Sequence, residues 1–289
     1  MSKPSSTRSR VKNNAKNNSE RSSMGRFVYV VMCLFLCLFF ALAAYKYRHG
    51  IAYYLGFGTA AQKAEKTKSK EDGLHAIRNF EVLSRHDDMI AGIDVSQYQG
   101  RIKWDKVAKV EEDFPVRFVL IRATAGKNKV DSRFRTNWKG ARDNYLIRGA
   151  YHYYRPDEDP VAQADNFVNV VELKSGDLPP VLDIEDNPKK ISMDQLRENI
   201  QTWCRLVERK YKMKPIIYSG DNFYKVNLKN RFPEHVLWIA NYNFFVENIK
   251  PHWNFWQFSE RGVATGIKGP VDLNIYQGSY DDFVTLTKK

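Results

Sequence analysis

The chain has 289 residues, of which 43% are hydrophobic and 13% aromatic, so its composition excludes a wholly disordered chain and fits a globular core. The net charge of +13 is concentrated near the N-terminus: residues 1–89 carry 15 Lys and Arg against 7 Asp and Glu, and residues 90–289 carry 31 against 26. No basic strip is interleaved with aromatic residues, so we expect no nucleic acid partner. The cysteines and histidines show no zinc-ligand spacing, and we expect no metal and no cofactor.

The N-terminal segment has the pattern of a membrane anchor. Residues 1–26 are polar and basic, a composition typical of a disordered tail. Residues 27–45, FVYVVMCLFLCLFFALAAY, carry no charge over about the length that a helix needs to cross a bilayer. The preceding basic residues predict a cytoplasmic N-terminus, with the rest of the chain outside the cytoplasm. The competing interpretation is a signal peptide cleaved near Ala43, because Ala41-Leu42-Ala43 is a small-x-small sequence.

Residues 46–88 are rich in charge and weakly periodic, and we predict a linker there that holds the following domain away from the membrane, with a short helix within it as an open alternative. Residues 89–289 are then predicted to form one α/β domain, because short β-type runs alternate with helical patterns. The eight runs are MIAGIDVS, RFVLIRATA, IRGAYHYYR, PPVLDIE, KPIIYSG, VLWIANYN, FWQFSE and VDLNIYQ.

Helical patterns follow the first five runs. They are WDKVAKV, residues 132–145, DPVAQADNFVNVVEL, SMDQLRENIQTWCRLVERKY and NFYKVNL. Five strand–helix units favour a parallel sheet with helices outside it, and eight strands in one domain favour a closed sheet. We therefore predict a TIM-like barrel of eight strands with about five helices, (β/α)5(β)3.

Acidic residues stand at the predicted ends of three strands. Asp94 ends the first run, Asp183 and Glu185 end the fourth, and Asp272 lies in the eighth. Because side chains alternate along a strand, Asp183 and Glu185 share one face, and Asp186 faces away, where it can cap the following turn. For each acid alone, capping or pairing with a buried arginine such as Arg122 is an equally good interpretation.

Four acids at one end of a barrel fit a glycosidase better than a set of caps. Like charges that lie close together raise at least one carboxyl pKa, and glycoside hydrolysis needs one protonated carboxyl beside an anionic one. Aromatic rings near strand ends can stack on sugar rings, and amides can bind sugar hydroxyls. From this pattern we predict substrate contacts at Tyr151, Tyr218, Trp256 and Gln257.

The domain resembles glycoside hydrolase family 25, the lysozymes typified by the Chalaropsis-type muramidase. The resemblance covers about residues 90–287 in one colinear order, with two departures: Tyr154 and Asn241 stand where Phe and Arg are expected. The matching segments are GIDVSQYQG with IKW, FVLIRATAG, RGAYHYYRP, PPVLDIED, PIIYSG, LWIANY, FWQFSE and VDLNIY.

The resemblance implies cleavage of the β-1,4 bond between N-acetylmuramic acid and N-acetylglucosamine in peptidoglycan. Glu185 would be the general acid/base, Asp183 would stabilise the reacting sugar, and Asp94 and Asp272 would complete the acidic site. The expected partners are peptidoglycan glycan strands and, through the N-terminal helix, a membrane. A bacterial inner-membrane anchor facing the periplasm fits this activity. A covalent and a substrate-assisted mechanism both stay open, with Asp183 orienting the acetamido group in the second.

Two other functions compete with the muramidase. One is a non-catalytic peptidoglycan-binding module on the same fold, because a fold alone does not fix chemistry. The other is a hydrolase of another N-acetylhexosamine polymer such as chitin, although the Asp-x-x-Asp-x-Asp-x-Glu run of chitinases is absent from the sequence.

Overall fold

The computed structural model describes residues 31–48, 70–246 and 248–288. Residues 31–46 are helical, so the structure describes the predicted span of residues 27–45 only from residue 31. Among the described residues, no helix combines the length and the apolar character that crossing a membrane requires, and the predicted membrane helix is not confirmed. The predicted tail and residues 49–69 of the predicted linker lie outside the described residues.

The later part of the predicted linker belongs to the folded domain. Helix α1, Lys70–Arg85, packs against the barrel and buries Val82 and Leu83. The buried side of α1 also contains Arg78 and Asn79 at helical spacing from Val82. Because these two polar residues face the barrel, the apolar period is weak, and the sequence pattern resembles that of a spacer.

All eight predicted strands are present and close into a barrel. The first seven run parallel to one another, and the eighth is antiparallel to both strands beside it and closes the sheet. A further short strand, Lys129–Val130, pairs antiparallel with the end of the second strand. The strands are β1 (Ile90–Val95), β2 (Phe118–Ala125), β3 (Ile147–Tyr153), β4 (Val181–Asp183), β5 (Ile216–Gly220), β6 (Leu237–Ala240), β7 (Phe255–Gly262) and β8 (Val271–Tyr276).

Three predicted helices are confirmed: α2 (Phe134–Asp143), α3 (Pro160–Val170) and α4 (Met193–Tyr211). Asp159 and Ser192 accept hydrogen bonds from backbone N–H groups in the first turns of α3 and α4, as N-cap residues do. The fifth predicted helix is a short helix, α5 (Asp221–Phe223), that continues into a π-helical turn, Tyr224–Leu228.

The first predicted helix, WDKVAKV, is wrong. Trp104–Lys106 form a 3₁₀ turn, and Lys109–Val110 then pair with Phe114–Pro115 in a small hairpin. Trp104, Val107 and Val110 are buried at intervals of three residues. That spacing resembles one face of a helix, but a turn followed by a strand buries the same residues.

The amino end of the barrel is closed by a helix that the sequence patterns did not predict. Helix α6, Tyr280–Leu286, starts with a capping box made by Ser279 and Asp282. Its fully buried Phe283 packs on Phe118 of β2 and Phe255 of β7. Since an apolar plug fills this end, the polar side chains of the barrel interior lie at the opposite end, where the parallel strands finish and the antiparallel β8 begins.

Candidate active site

Asp94 and Asp272 face each other across the seam that closes the barrel. The antiparallel pairing of β1 with β8 places the two residues directly opposite one another. Asp94 Oδ2 accepts hydrogen bonds from Gln257 Nε2 (2.6 Å) and Asn274 Nδ2 (2.8 Å). Burial raises the pKa of Asp94 to about 6, although these amide donors favour its anion.

Asp272 is the protonated member of this pair. Burial raises the pKa of Asp272 to about 9, and the charge of Asp94 and a hydrogen bond to it act in the same direction. Near neutral pH the two carboxyls therefore hold one proton, which resides on Asp272, while Asp94 carries the negative charge.

The amides that hold Asp94 are themselves fixed by aromatic side chains. Gln257 Oε1 accepts a hydrogen bond from the hydroxyl of Tyr218 (2.7 Å) and another from the hydroxyl of Tyr242. Trp238 Nε1 donates to Asn274 Oδ1 (2.7 Å). Because both amide oxygens are occupied by donors, both amide nitrogens point at Asp94, and the network has one consistent orientation.

Asp183 and Glu185 form a second pair at the end of β4. Asp183 is buried, and Glu185 is exposed. Burial raises the pKa of Asp183 well above its ordinary value, and the charge of Glu185 raises it further. Although part of the Glu185 side chain is exposed, the surrounding protein partly desolvates its carboxyl and raises its pKa, whereas a hydrogen bond from Asp183 lowers it. In the free protein the shared proton therefore resides mainly on Asp183, which donates to Glu185.

The pair retains an unsatisfied acceptor. Asp183 Oδ1 is buried and receives a hydrogen bond from no donor within the described part of the chain. Buried polar atoms nearly always have partners in native proteins, and exceptions concentrate at functional sites. Asp183 can therefore accept a donor from a bound molecule, while the exposed Glu185 can reach the same molecule.

Asp186 interacts with the site, although the sequence predicts that it faces away and caps a turn. Tyr153 donates its hydroxyl hydrogen bond to Asp186 Oδ2 at 2.7 Å. The negative charge of Asp186 also raises the pKa of Glu185. Asp157 accepts the backbone N–H groups of Lys189 and Lys190 instead, and so holds the segment that carries Glu185.

Arg122 does not neutralise the paired acids Asp94 and Asp272. Its Nε donates to Asp131 Oδ2 at 2.9 Å, and its guanidinium lies 4.7 Å from the ring centroid of Tyr98. The interpretation in which Asp94 and Asp272 are simple partners of Arg122 is therefore wrong, and these two carboxyls keep the shared proton described above.

Three of the four predicted substrate contacts lie at the acidic end of the barrel, defined by Asp94, Asp183, Glu185 and Asp272. Burial is the largest cause of the raised pKa of both Tyr151 and Tyr218. The charges of Asp94 and Asp183 raise the pKa of Tyr151 further, and the charge of Glu185 raises that of Tyr218. Gln257 contacts Asp94 directly. All three are buried.

Trp256 is a wrong prediction. It is fully buried on the outer side of β7, where its ring contacts His86 and Trp253 and its Nε1 donates to Asn241 O. Alternation along β7 explains this, because Gln257 faces the barrel interior and its neighbour must face outward. The run FWQFSE has aromatic residues on both faces, so the sequence alone did not fix which face is inside.

Asn274, Trp238 and Tyr242 complete the network and were not among the predicted site residues. Asn274 lies two residues after Asp272 and therefore shares its face of β8, which is a signal that the sequence did contain. Its pairing with Gln257 depends on the register between β7 and β8, which no sequence pattern gives.

The two departures from the expected family pattern lie in different places. Tyr154 is fully buried in the outer core and contacts His152. Asn241 follows β6 and donates to Asp221 Oδ2 at 2.8 Å. Only the second lies beside a residue of the acid network, Tyr242.

Two carboxyl pairs that share protons at the carboxyl end of a closed barrel fit the paired-carboxyl chemistry of a glycoside hydrolase. Residues 93–267 match the model of the family described as Glycosyl hydrolases family 25, and the chain belongs to this family. The family places the protein among enzymes that hydrolyse glycosidic bonds.

Individual relatives agree with the family match. Lysozyme M1 of Streptomyces globisporus is 32% identical over 246 residues, covering 78% of this chain and 78% of its own. The uncharacterized protein YegX of Escherichia coli (strain K12) is 40% identical over 212 residues, covering 73% of this chain and 78% of its own. The crystal structure of the bacterial lysozyme from Streptomyces coelicolor superposes with a TM-score of 0.62 at 31% identity, covering 68% of this chain and 96% of that one.

Proposed function

We propose that the protein is a lysozyme-type N-acetylmuramidase that hydrolyses the β-1,4 bond between N-acetylmuramic acid and N-acetylglucosamine in peptidoglycan, with Glu185 as general acid/base. The observation that carries the assignment of Glu185 is the pair at the end of β4. It combines an exposed carboxyl with a raised pKa and a buried, protonated neighbour that has a free acceptor oxygen.

Binding of an N-acetyl sugar would move the shared proton to the residue that needs it. An acetamido N–H that donates to Asp183 Oδ1 favours the anionic form of Asp183, since hydrogen bonds to the charged form lower a carboxyl pKa. The proton then passes to Glu185. Substrate binding therefore protonates the general acid Glu185, whereas in the free enzyme the proton lies on Asp183.

The bond changes follow a substrate-assisted course. The acetamido oxygen attacks C1 of the muramic acid ring while the C1–O4 bond breaks, and Glu185 donates its proton to the departing O4. Glu185, now anionic, takes a proton from water, and the water oxygen bonds to C1 as the bond between C1 and the acetamido oxygen breaks, which restores the acetamido group. Asp94, held as an anion by Gln257 and Asn274, stabilises the positive charge that develops on the sugar.

The test is the structure of the products. The purified full-length chain is incubated with peptidoglycan, and new reducing ends are reduced with borohydride and identified by mass spectrometry. The proposal predicts N-acetylmuramic acid at the new reducing ends. N-acetylglucosamine ends would contradict the bond assignment, binding without cleavage would favour the non-catalytic module, and faster release from chitin would favour the other polymer.

The location is a separate proposal that rests on the sequence alone. We propose that the apolar run of residues 27–45 anchors the protein in a bacterial inner membrane with the enzyme on the periplasmic side. Membrane fractionation with external protease and N-terminal sequencing test it. A soluble mature protein that begins at Ala44 would instead support secretion after cleavage.

A further inference from the structure

Helix α1 covers a part of the barrel that the barrel's own helices leave open. The family match begins at residue 93, so α1 precedes it in the chain. Among the described residues, no long helix lies between β6 and β7 or between β7 and β8. The outward side chains Trp256 and Phe258 of β7 are nevertheless fully buried, and His86, just after α1, contacts the Trp256 ring. The first helix thus supplies the outer layer over β7.

Arg78 is a buried charged residue of α1 that contacts β7 and the segment after β6. Only 6% of it is exposed, and its guanidinium lies over the Trp256 ring. Nη1 donates to Phe258 O at 2.5 Å, and Nη2 donates to Asn243 O at 3.1 Å and Val246 O at 3.3 Å. Burying a charge is unfavourable unless it is well hydrogen-bonded, and an apolar side chain would fill this space at less cost. The guanidinium therefore serves to join two segments, β7 and the segment after β6.

These two segments meet again inside the barrel. The segment after β6 carries Tyr242, next to Asn243, and the hydroxyl of Tyr242 donates to Gln257 Oε1. Gln257 lies on β7 beside Phe258, and its Nε2 donates to Asp94. One buried side chain thus fixes the backbone on both sides of the contact between Tyr242 and Gln257.

We propose that Arg78 is a positioning residue of the hydrolase, which fixes Tyr242 on Gln257 and thereby holds the amide that orients Asp94. This proposal rests on the proposed function of the site. It makes α1 part of the working enzyme, although α1 lies outside the family match and within a segment whose sequence resembles a linker.

The test compares Arg78→Met and Arg78→Lys with the matched control Asn79→Ala in the full-length chain. Asn79, the next residue of α1, donates to Glu111 Oε1 and Arg261 O and has no hydrogen bond to the described residues of the segment after β6. Peptidoglycan hydrolysis should show a kcat loss of about 10-fold or more for Arg78→Met with KM nearly unchanged, an intermediate loss for Arg78→Lys, and near-normal kcat for Asn79→Ala.

A double-mutant cycle separates positioning from loss of stability. If Arg78 acts through Tyr242, then Arg78→Lys should cost little more kcat in a Tyr242→Phe background. An equal loss in both backgrounds, or an equal kcat loss in Asn79→Ala, would overturn the proposal. Should Arg78→Met fail to fold, the Arg78→Lys cycle still decides.

Hydrogen exchange of the amides of residues 241–246 gives a readout without substrate. Exchange should be faster in Arg78→Lys than in the wild type or in Asn79→Ala, and unchanged exchange would contradict the positioning role. If exchange responds as expected while the wild type cleaves no peptidoglycan, the proposed function fails and the positioning by Arg78 stands.

Discussion

Two carboxyl pairs meet at the acidic end of the barrel, and their surroundings give them different chemistry. Asp94 and Asp272 lie on neighbouring strands, and Asp94 is held by two amides that are themselves held by aromatic residues. Asp183 and Glu185 lie on one strand end, with one oxygen of Asp183 unsatisfied and Glu185 exposed. The first pair is fixed and supplies charge, and the second pair is open to a substrate and supplies the mobile proton.

The largest effect should follow from removing the mobile proton. Glu185→Gln keeps the shape of the side chain but abolishes proton transfer. We expect kcat on peptidoglycan to fall by about 10²–10⁴-fold, the usual contribution of a general acid/base, while the protein stays folded. Reducing-end release and a thermal melt check both parts, and near-wild-type turnover would move the acid role to another residue.

The fixed pair should respond asymmetrically to the same change. Asp94→Asn removes the negative charge and places an amide group beside the amides of Gln257 and Asn274, which donate to the carboxylate in the wild type. We therefore expect a kcat loss of about 10–100-fold, as for the loss of hydrogen bonds to a charged group. Asp272→Asn imitates the protonated state of Asp272 and should cost less than about 10-fold. Equal losses in the two variants would contradict the placement of the proton on Asp272.

Asp186 should tune the open pair without taking part in the reaction. Its charge raises the pKa of Glu185, so Asp186→Asn should lower that pKa. A general acid must be protonated, and the alkaline limb of the kcat/KM profile should therefore move to lower pH. Tyr153→Phe, which removes only the hydroxyl that binds Asp186, is the matched control and should move this limb less.

The last prediction concerns stability rather than turnover. Because the pKa of Asp272 is about 9 in the folded protein, the folded state holds a proton that the unfolded state loses above pH 4, and stability falls as pH rises from about 4 toward 9. Asp272→Asn removes this dependence. Its Tm relative to the wild type should therefore rise between pH 5 and pH 8, and a constant difference would show that Asp272 is already ionised at pH 5.

The sequence predicts the strands and the acids well because both depend on local patterns. Apolar runs define the eight strands, and alternation places Asp183 and Glu185 on one face. Alternation fails at Trp256, since both faces of β7 are buried and the sequence contains no signal for which is inside. The helical period likewise fails to identify α1, because a buried helix face that contains Arg78 and Asn79 resembles an exposed one.

The distribution of protons could not be predicted from the sequence. The sequence led us to expect a raised pKa in a general acid, whereas in the free protein the stronger hold on the proton lies with its buried neighbour Asp183. Which carboxyl of a pair keeps a proton depends on burial and hydrogen bonds in three dimensions. The role of Asp186 depends in the same way on Tyr153 and could not be seen in the run LDIED.

The most direct test of the role of Glu185 is the dependence of its variant on the leaving group. Wild type and Glu185→Gln are compared by kcat/KM on peptidoglycan fragments and on an N-acetylmuramic-acid-containing glycoside with a nitrophenol leaving group, which departs without a proton. We predict a loss of about 10²–10⁴-fold on the fragments and only a small loss on the nitrophenyl glycoside. Equal losses on both substrates would contradict proton donation by Glu185.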